Sequence, residues 1–458
     1  MLLSLVLLLT AVEIASSDPI HYPPASTNIN NLTFALFGSG APGIFDSSTT
    51  PDSQYGVYNW CNMPHVRKRE YKTPPKNFTL QYVEVIQRHH KRTPYSSNTF
   101  FKEDVEWSTT REGSDVSPVQ WQAFADETNP WTSTVGPGFI GSACQFPQIT
   151  DEGLQDSITH GADIREVYAS RLGLAGHLDS ESVKIRVTNN VITSQVASGL
   201  LAGLFPKSRS RPLVALIQSS TFDSLEPRYS CNRASNIRTG YTTGNSGQLW
   251  KSHLTQAAPL YSHLDAVSGI ATSDTAGWHT SFDHYFDNFS AKQCHGKRLP
   301  CSVNATSSCV TQEQANTVYR LGNWEYSYQF RDAPASAQYA ALRYGAWVLE
   351  LKAHLQAKVD GTSKVKYFHN IAHDGSISPL LGFLQVDEMV WPGMGSEIVF
   401  ELYSHESTGH LIRILWGGQP MKTSTPLGTL DMIPLANLFS YIDTMVGSAD
   451  QLFAQCNS

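Results

Sequence analysis

The chain is poor in the features that mark specialised protein classes. Charged residues make up only 16% of its 458 positions, and the formal charge of −7 is spread without a basic stripe. That excludes the electrostatic footprint of a nucleic-acid binder. Beyond the first dozen residues, no apolar run reaches the roughly 18 residues of a membrane span. The terminal QLFAQCNS has no hydrophobic tail of the kind removed on lipid anchoring, so neither a span nor an anchor is expected. No G-x-S-x-G elbow is present, which leaves a serine hydrolase unsupported, and no G-x-x-x-x-G-K-[ST] phosphate loop is present either. The seven cysteines (Cys61, Cys144, Cys231, Cys294, Cys301, Cys309 and Cys456) contain no C-x2-C pair, and their spacing matches no zinc site. Disulfides are the expected use. Seven is odd, so one cysteine stays free or pairs between chains.

What is there begins with Leu2 to Val12, an apolar run ending in Ala15, Ser16 and Ser17. It predicts a secretory leader over residues 1–17, and hence a secreted or vacuole-like product. Asn-X-Ser/Thr acceptors at Asn31, Asn77, Asn288 and Asn304 are candidate glycosylation sites if that leader operates.

Residues 18–78, rich in Pro, Ser, Asn, Gly and Thr, predict a loop-rich arm. Residues 80–87 are a Val/Ile/Tyr-rich strand that runs into Arg88. Residues 96–148 show no clear period and read as long surface loops. A helix is expected over 150–176, capped by Thr150, then a strand at 183–187, a helix over 193–204 and a strand at 213–218. Residues 220–330 lack β-α alternation and predict an inserted, mainly helical cap. A helix over 334–355, a strand at 365–371 that runs into His373, paired strands at 398–403 and 411–415, and a helix over 433–445 complete the pattern. This predicts an α/β fold: a mostly parallel sheet core flanked by helices, in two parts (79–219 and 331–458), split by the cap.

The chemistry concentrates in Arg88-His89-His90-Lys91-Arg92-Thr93-Pro94. Active sites of open α/β sheets lie where strands end on their carboxyl side. Two arginines four apart can present forked guanidinium groups to one anion, and an imidazole between them meets a bound phosphorus as a nucleophile. Taken alone, such a cluster is more often a basic surface patch. In the distant C-terminal half, Ala372-His373-Asp374 also follows a predicted strand, and a carboxylic acid there can protonate a departing alkoxide. The cap segments Trp278-His279 and Asp283-His284-Tyr285 are read first as packing and second as pocket lining.

Residues 88–94 resemble the R-H-G-x-R-x-P signature of the histidine acid phosphatases, the phytase-containing branch of the histidine phosphatase superfamily. Ala372-His373-Asp374-Gly375 is similar to that family's His-Asp motif. The stretch from Gly395 to Tyr403 resembles its G-G-E-L-V-F-E strand, and Arg186 to Ser194 resembles its R-x-S-x-x-D-R-V-I-x-S segment. The resemblance runs over roughly residues 75–440. It implies a phosphoglycerate-mutase-like core and a phosphorylated small-molecule substrate, with no metal or cofactor. It also implies His89 as the nucleophile that becomes phosphorylated, Arg88, Arg92 and His373 as phosphate ligands, and Asp374 as proton donor.

Two departures bear on the site. His90 stands where the family has glycine; it either adds an imidazole to the pocket or turns away into packing. The family's third phosphate-binding arginine falls at Asn190 in one alignment and at Ile192 in another, so no arginine stands there. Arg186 matches an earlier family arginine that need not face the phosphate, unless a shortened loop redirects it. A secreted phosphomonoester hydrolase of acid pH is therefore expected, with a catalytically weakened, anion- or surface-binding homologue as the alternative.

Overall fold

In the computed structural model, residues 18–99, 107, 121–125, 134–135, 147–208, 213–274, 277–302 and 304–458 are described, with the backbone alone at 121–125, 134–135 and 213. The expected leader and Cys144 lie outside them.

Strand β1 (Phe78–Arg88) is built on alternation. Val83 and Val85 enter one apolar core, and Tyr82 and Ile86 enter another, so both faces are buried. Further strands are β2 (Trp121–Ala125), β3 (Thr134–Val135), β4 (Val183–Val187), β5 (Leu213–Ile217), β6 (Tyr367–Ala372), β7 (Glu397–His405), β8 (Gly409–Trp416), β9 (Gln419–Pro420) and β10 (Ile433–Pro434). They form one sheet in the order β10-β8-β7-β1-β6-β4-β5-β2-β3, with β9 on β8. The centre, from β1 through β6, β4 and β5 to β2, is parallel. Antiparallel strands extend it on both sides, with β7, β8 and β10 beyond β1 and β3 beyond β2.

Helices α1 (Leu32–Phe37), α2 (Asp151–Leu172) and α3 (Val191–Leu204) precede β5. Helix α2 begins at Thr150, whose side chain accepts the Gly153 N–H, and ends on left-handed Gly173. It packs on α3 at backbone contact: a Cβ on Gly203 would lie 2.0 Å from the Ile158 carbonyl oxygen. After β5 come α4 (Asn232–Tyr241), α5 (Gln248–Gln256), α6 (Ala258–Ser268), α7 (Asp283–Cys294) and α8 (Gln312–Ser327). Helices α9 (Ser336–Val359), α10 (Asp374–Phe383), α11 (Leu435–Met445) and α12 (Ala449–Cys456) complete the set. One core lies between the sheet and α2–α3. The other joins the opposite sheet face to α9, α10, α11 and the helices of 232–327.

Several expectations change. Residues 96–148 hold β2 and β3, because the sheet edge beyond β5 recruits them by backbone pairing that their weak side-chain pattern does not reveal. The helix expected at 193–204 starts at Val191, because Asn190 caps it, its side chain accepting from the Ile192 N–H. The final helix expected from 433 starts at Leu435, since Ile433 and Pro434 pair with β8. Three disulfides form: Cys61–Cys294, Cys231–Cys456 and Cys301–Cys309. The first ties the N-terminal arm to α7. Asn288 is corrected as a glycosylation candidate: it is fully buried, and its amide donates to the Asn98 carbonyl. Asn31, Asn77 and Asn304 are exposed. No described helix is long and apolar enough to cross a membrane.

Candidate active site

The two motifs meet because β1 and β6 are parallel neighbours in register, with Arg88 paired to Ala372. The His89 N–H donates to the Ala372 carbonyl at 3.0 Å, which sets the two strand ends side by side. The His89 and His373 rings stand 5.5 Å apart, edge to face.

His89 is 1% exposed. Its Nδ1 lies 2.9 Å from the His90 carbonyl oxygen, which can only accept, so Nδ1 carries the proton and Nε2 keeps its lone pair. Burial, then Arg88, Arg92 and His373, push its pKa well below the ordinary 6.5. A neutral imidazole with a free Nε2 is the nucleophilic form, and it persists into acid medium.

Each arginine is held by a carboxylate. Arg88 donates to the Pro392 carbonyl, lies 3.3 Å from Asp374 Oδ2 and stacks on Trp60. Arg92 lies 3.0 Å from Asp287 Oδ1 on α7 and stacks on Tyr95. Asp374 opens α10, where the helix dipole favours negative charge. Its Oδ2 accepts from Trp391 Nε1 at 2.6 Å and from the Tyr326 hydroxyl at 3.2 Å. Burial works to raise its pKa, but Arg88, the Trp391 N–H, His373 and Arg92 together hold it below the ordinary aspartate value. His373 Nε2 is 2.8 Å from Thr188 Oγ1. Burial lowers its pKa against the opposing pull of Glu226 and Asp374.

The remaining predicted residues divide. Asn190 sits at the rim; its Oδ1 caps α3, and its amide is in contact with Tyr95. His90 turns away from the pocket into packing: it is fully buried, with Nε2 3.1 Å from His160 Nδ1. Arg186 also turns away. It joins Glu350 at 2.7 Å and Asp223 at 3.0 Å, together with Gln218 and Ser224. Trp278 and His284 stack on each other, and His279 bonds Asp265, so these cap residues are packing. Among the described residues, no three His, Cys, Asp or Glu side chains are arranged to hold a metal ion.

Four participants carry no sequence signal: Asp287, Tyr326, Trp391 and Tyr95. A crevice of about 360 Å³ adjoins Asp374 through Gly375 and Tyr326, and its walls include Arg238, Thr242, Trp250, Asp283, Glu325 and Phe330. Desolvation there, with Asp287, Asp374 and Glu325 near, pushes the Asp283 carboxyl up to about 7. A larger cavity of about 630 Å³, lined by Tyr82, Lys184, Arg186 and His354, contains none of the motif residues at 88–92 or 373–374.

The profile of the histidine phosphatase superfamily, branch 2, matches residues 79–416. The chain belongs to that family. Counting factor 60 of Dictyostelium discoideum is 26% identical over 362 residues, covering 76% of this chain and 82% of the relative. 2-Phosphoxylose phosphatase 1 of Danio rerio is 23% identical over 444 residues, covering 88% and 86%. The multiple inositol polyphosphate phosphatase of Bifidobacterium longum, solved with inositol hexasulfate, superposes with a TM-score of 0.57 at 11% identity, covering 85% of this chain and 97% of that one. The shared architecture is thus a histidine phosphatase α/β sheet flanked by helices, and the homologues support a phosphatase-type hydrolase.

Proposed function

We propose that the chain hydrolyses phosphate monoesters through a phosphohistidine at His89, outside the cytosol. The observation that carries this is the His89 Nδ1–H bond to the His90 carbonyl, which leaves Nε2 unprotonated beside Arg88, Arg92, His373 and Asp374. In the first step Nε2 attacks phosphorus, the phosphorus–oxygen ester bond breaks, and Asp374 gives its proton to the leaving oxygen. In the second, water attacks phosphorus, returns a proton to Asp374 and frees His89 with release of phosphate. Asp374 is ionised in the free site, so its proton arrives with the substrate. A phosphate monoester has a second pKa of about 6, and below it binds as a proton-carrying monoanion. Acid medium therefore favours turnover. Arg88 and Arg92 each keep a buried Nε–H without an acceptor among the described residues, a cost that a bound oxyanion relieves. The three disulfides accord with an oxidising, secreted or vacuole-like location.

The crevice favours an alcohol that is uncharged and rich in hydroxyls. Glu325 in its wall opposes further phosphates, and Arg238 there is engaged by Gln329. Asp283, its carboxyl held up at about 7 and so mostly neutral in acid medium, offers a hydrogen bond, while Trp250, Phe330 and Thr242 offer aromatic faces and a hydroxyl. The relative named a phosphoxylose phosphatase supports the same class of alcohol.

One observation favours a second reading, that of a weakened, anion-binding homologue. Both arginines are already paired with carboxylates, and Asn190 serves as a helix cap. The deciding experiment is phosphate release from a panel of sugar monophosphates, p-nitrophenyl phosphate and inositol hexakisphosphate between about pH 4 and about pH 7. His89→Ala is expected to remove at least about three decades of rate. Release that persists in His89→Ala, or none from any ester in the parent, leaves the binding reading.

A further inference from the structure

The residue beside the nucleophile faces the opposite way, into a buried group of histidines. His90 Nε2 is 3.1 Å from His160 Nδ1, and His160 Nε2 is 3.0 Å from Glu397 Oε2. The His65 ring stacks on His160 at 4.0 Å, and its Nε2 meets Asp163 at 2.8 Å. Glu397 Oε1 accepts the Val66 N–H at 2.6 Å. With Glu397 as a carboxylate, the protons have one arrangement. His160 donates through Nε2, its Nδ1 accepts, and His90 donates through Nε2. All three side chains are fully buried. Burial, then the neighbouring imidazoles, keep His90 and His160 far below the ordinary histidine pKa.

Two backbone contacts connect this chain of bonds to His89. The His90 carbonyl accepts the His89 Nδ1–H bond. The Gly395 N–H donates to the His89 carbonyl at 3.0 Å. Gly395 has φ +70, and a Cβ on it would lie 2.4 Å from His90 Cε1 and 2.7 Å from His90 Nδ1. The His90 ring therefore rests on the residue that holds the His89 backbone. Its anchor, Glu397, is two residues further along the same segment.

We propose that His90 is a positioning residue. Its ring, tied through His160 to Glu397 and lodged on Gly395, fixes the peptide carbonyl that keeps the His89 proton on Nδ1 and Nε2 open to phosphorus. The proposal rests on the phosphatase reading for its rate predictions, while the His89 tautomer is measurable without turnover.

His90→Gly, which restores the residue type of the resembling signature, is expected to lower kcat about tenfold and change KM by less than about threefold, because His89 loses orientation while the phosphate ligands stay. His90→Gln, whose amide can still donate to His160, is expected to recover most of the loss, and His90→Asn, too short to reach, is not. Gly395→Ala should impair the enzyme alone and less so combined with His90→Gly, since removing the ring removes the clash. Ring-nitrogen NMR should show His89 as the Nδ1–H tautomer in the parent and as a mixture in His90→Gly. Unchanged or raised kcat in His90→Gly, with an unchanged His89 tautomer, overturns the proposal. Absent turnover in the parent with a His89 tautomer that still depends on His90 defeats the phosphatase reading alone.

Discussion

Two strand ends of the same parallel sheet carry an arginine, and they behave oppositely. At the end of β1, Arg88 points to Asp374, which opens α10, and Trp391 and Pro392 from the following loop bond the same pair, while Asp287 of α7 holds Arg92 beside it. Near the end of β4, two strands away, Arg186 lies on the same sheet face but is consumed by Glu350, Asp223, Gln218 and Ser224. Just after β4, Thr188 bonds His373, and Asn190 two residues on spends its oxygen in capping α3. Position at a carboxyl strand end is thus necessary for this chemistry and insufficient for it; what the side chain finds within reach decides. One strand end has become a reaction site, and the other a structural joint.

The largest effect that sharpens this contrast should come from Asp374→Asn. Asparagine can still accept from Trp391 and Tyr326 but cannot give a proton to an alkoxide. Sugar or alkyl phosphates are expected to lose roughly two to three decades of kcat. p-Nitrophenyl phosphate should lose far less, because its leaving phenolate needs no proton. Equal losses on both esters would sink the proton-donor role. A smaller effect, of opposite sign, is expected for Asn190→Arg. A guanidinium at the rim adds a charge-assisted contact to the developing phosphoryl charge, so kcat/KM should rise about tenfold. The same substitution removes the α3 cap, at a cost of about 1 kcal/mol visible as a lower Tm. A lower Tm without faster turnover would mean that the crevice already supplies this contact.

The part of the site carried by local pattern is legible in the amino-acid sequence. The β-branched run ending at Arg88 and the one ending before His373 announce two strands, and an active-site histidine at each end follows from where open α/β sheets bind. Asp287, Tyr326 and Trp391 are not legible. They reach Arg92 and Asp374 from α7, α8 and a loop, and nothing in their local sequence distinguishes them from packing. Side-chain direction is equally hidden. His90 has two orientations open to it by sequence, and the one adopted depends on His160 and Glu397, which lie 70 and 237 residues apart along the His90–His160–Glu397 chain of bonds. The edge strands β2 and β3 escape a sequence reading for a related reason: they are held by pairing with β5 and with each other, and their own residues carry little periodicity.

The smallest expected effect on catalysis tests the other half of the contrast. Arg186→Met should leave kcat/KM within about twofold, because Arg186 faces away from the phosphate site, while the fold loses roughly 3–5 kcal/mol from an ion pair broken inside. The loss should depend on pH in a defined direction. Burial holds the Asp223 pKa above the ordinary 3.8, and Arg186 is the strongest force pulling it down. Without Arg186 that pKa rises further, so the folded state binds a proton that the unfolded state at the same pH does not. The destabilisation is then greatest near neutral pH, where Asp223 stays charged and unpaired, and shrinks as pH falls through its raised pKa. Denaturant melts at several pH values read this directly, beside kcat/KM measured well below the melting temperature. A drop in kcat/KM as large as that of Asp374→Asn, with stability unchanged, would show that Arg186 swings to the phosphate and that the two strand ends are alike after all.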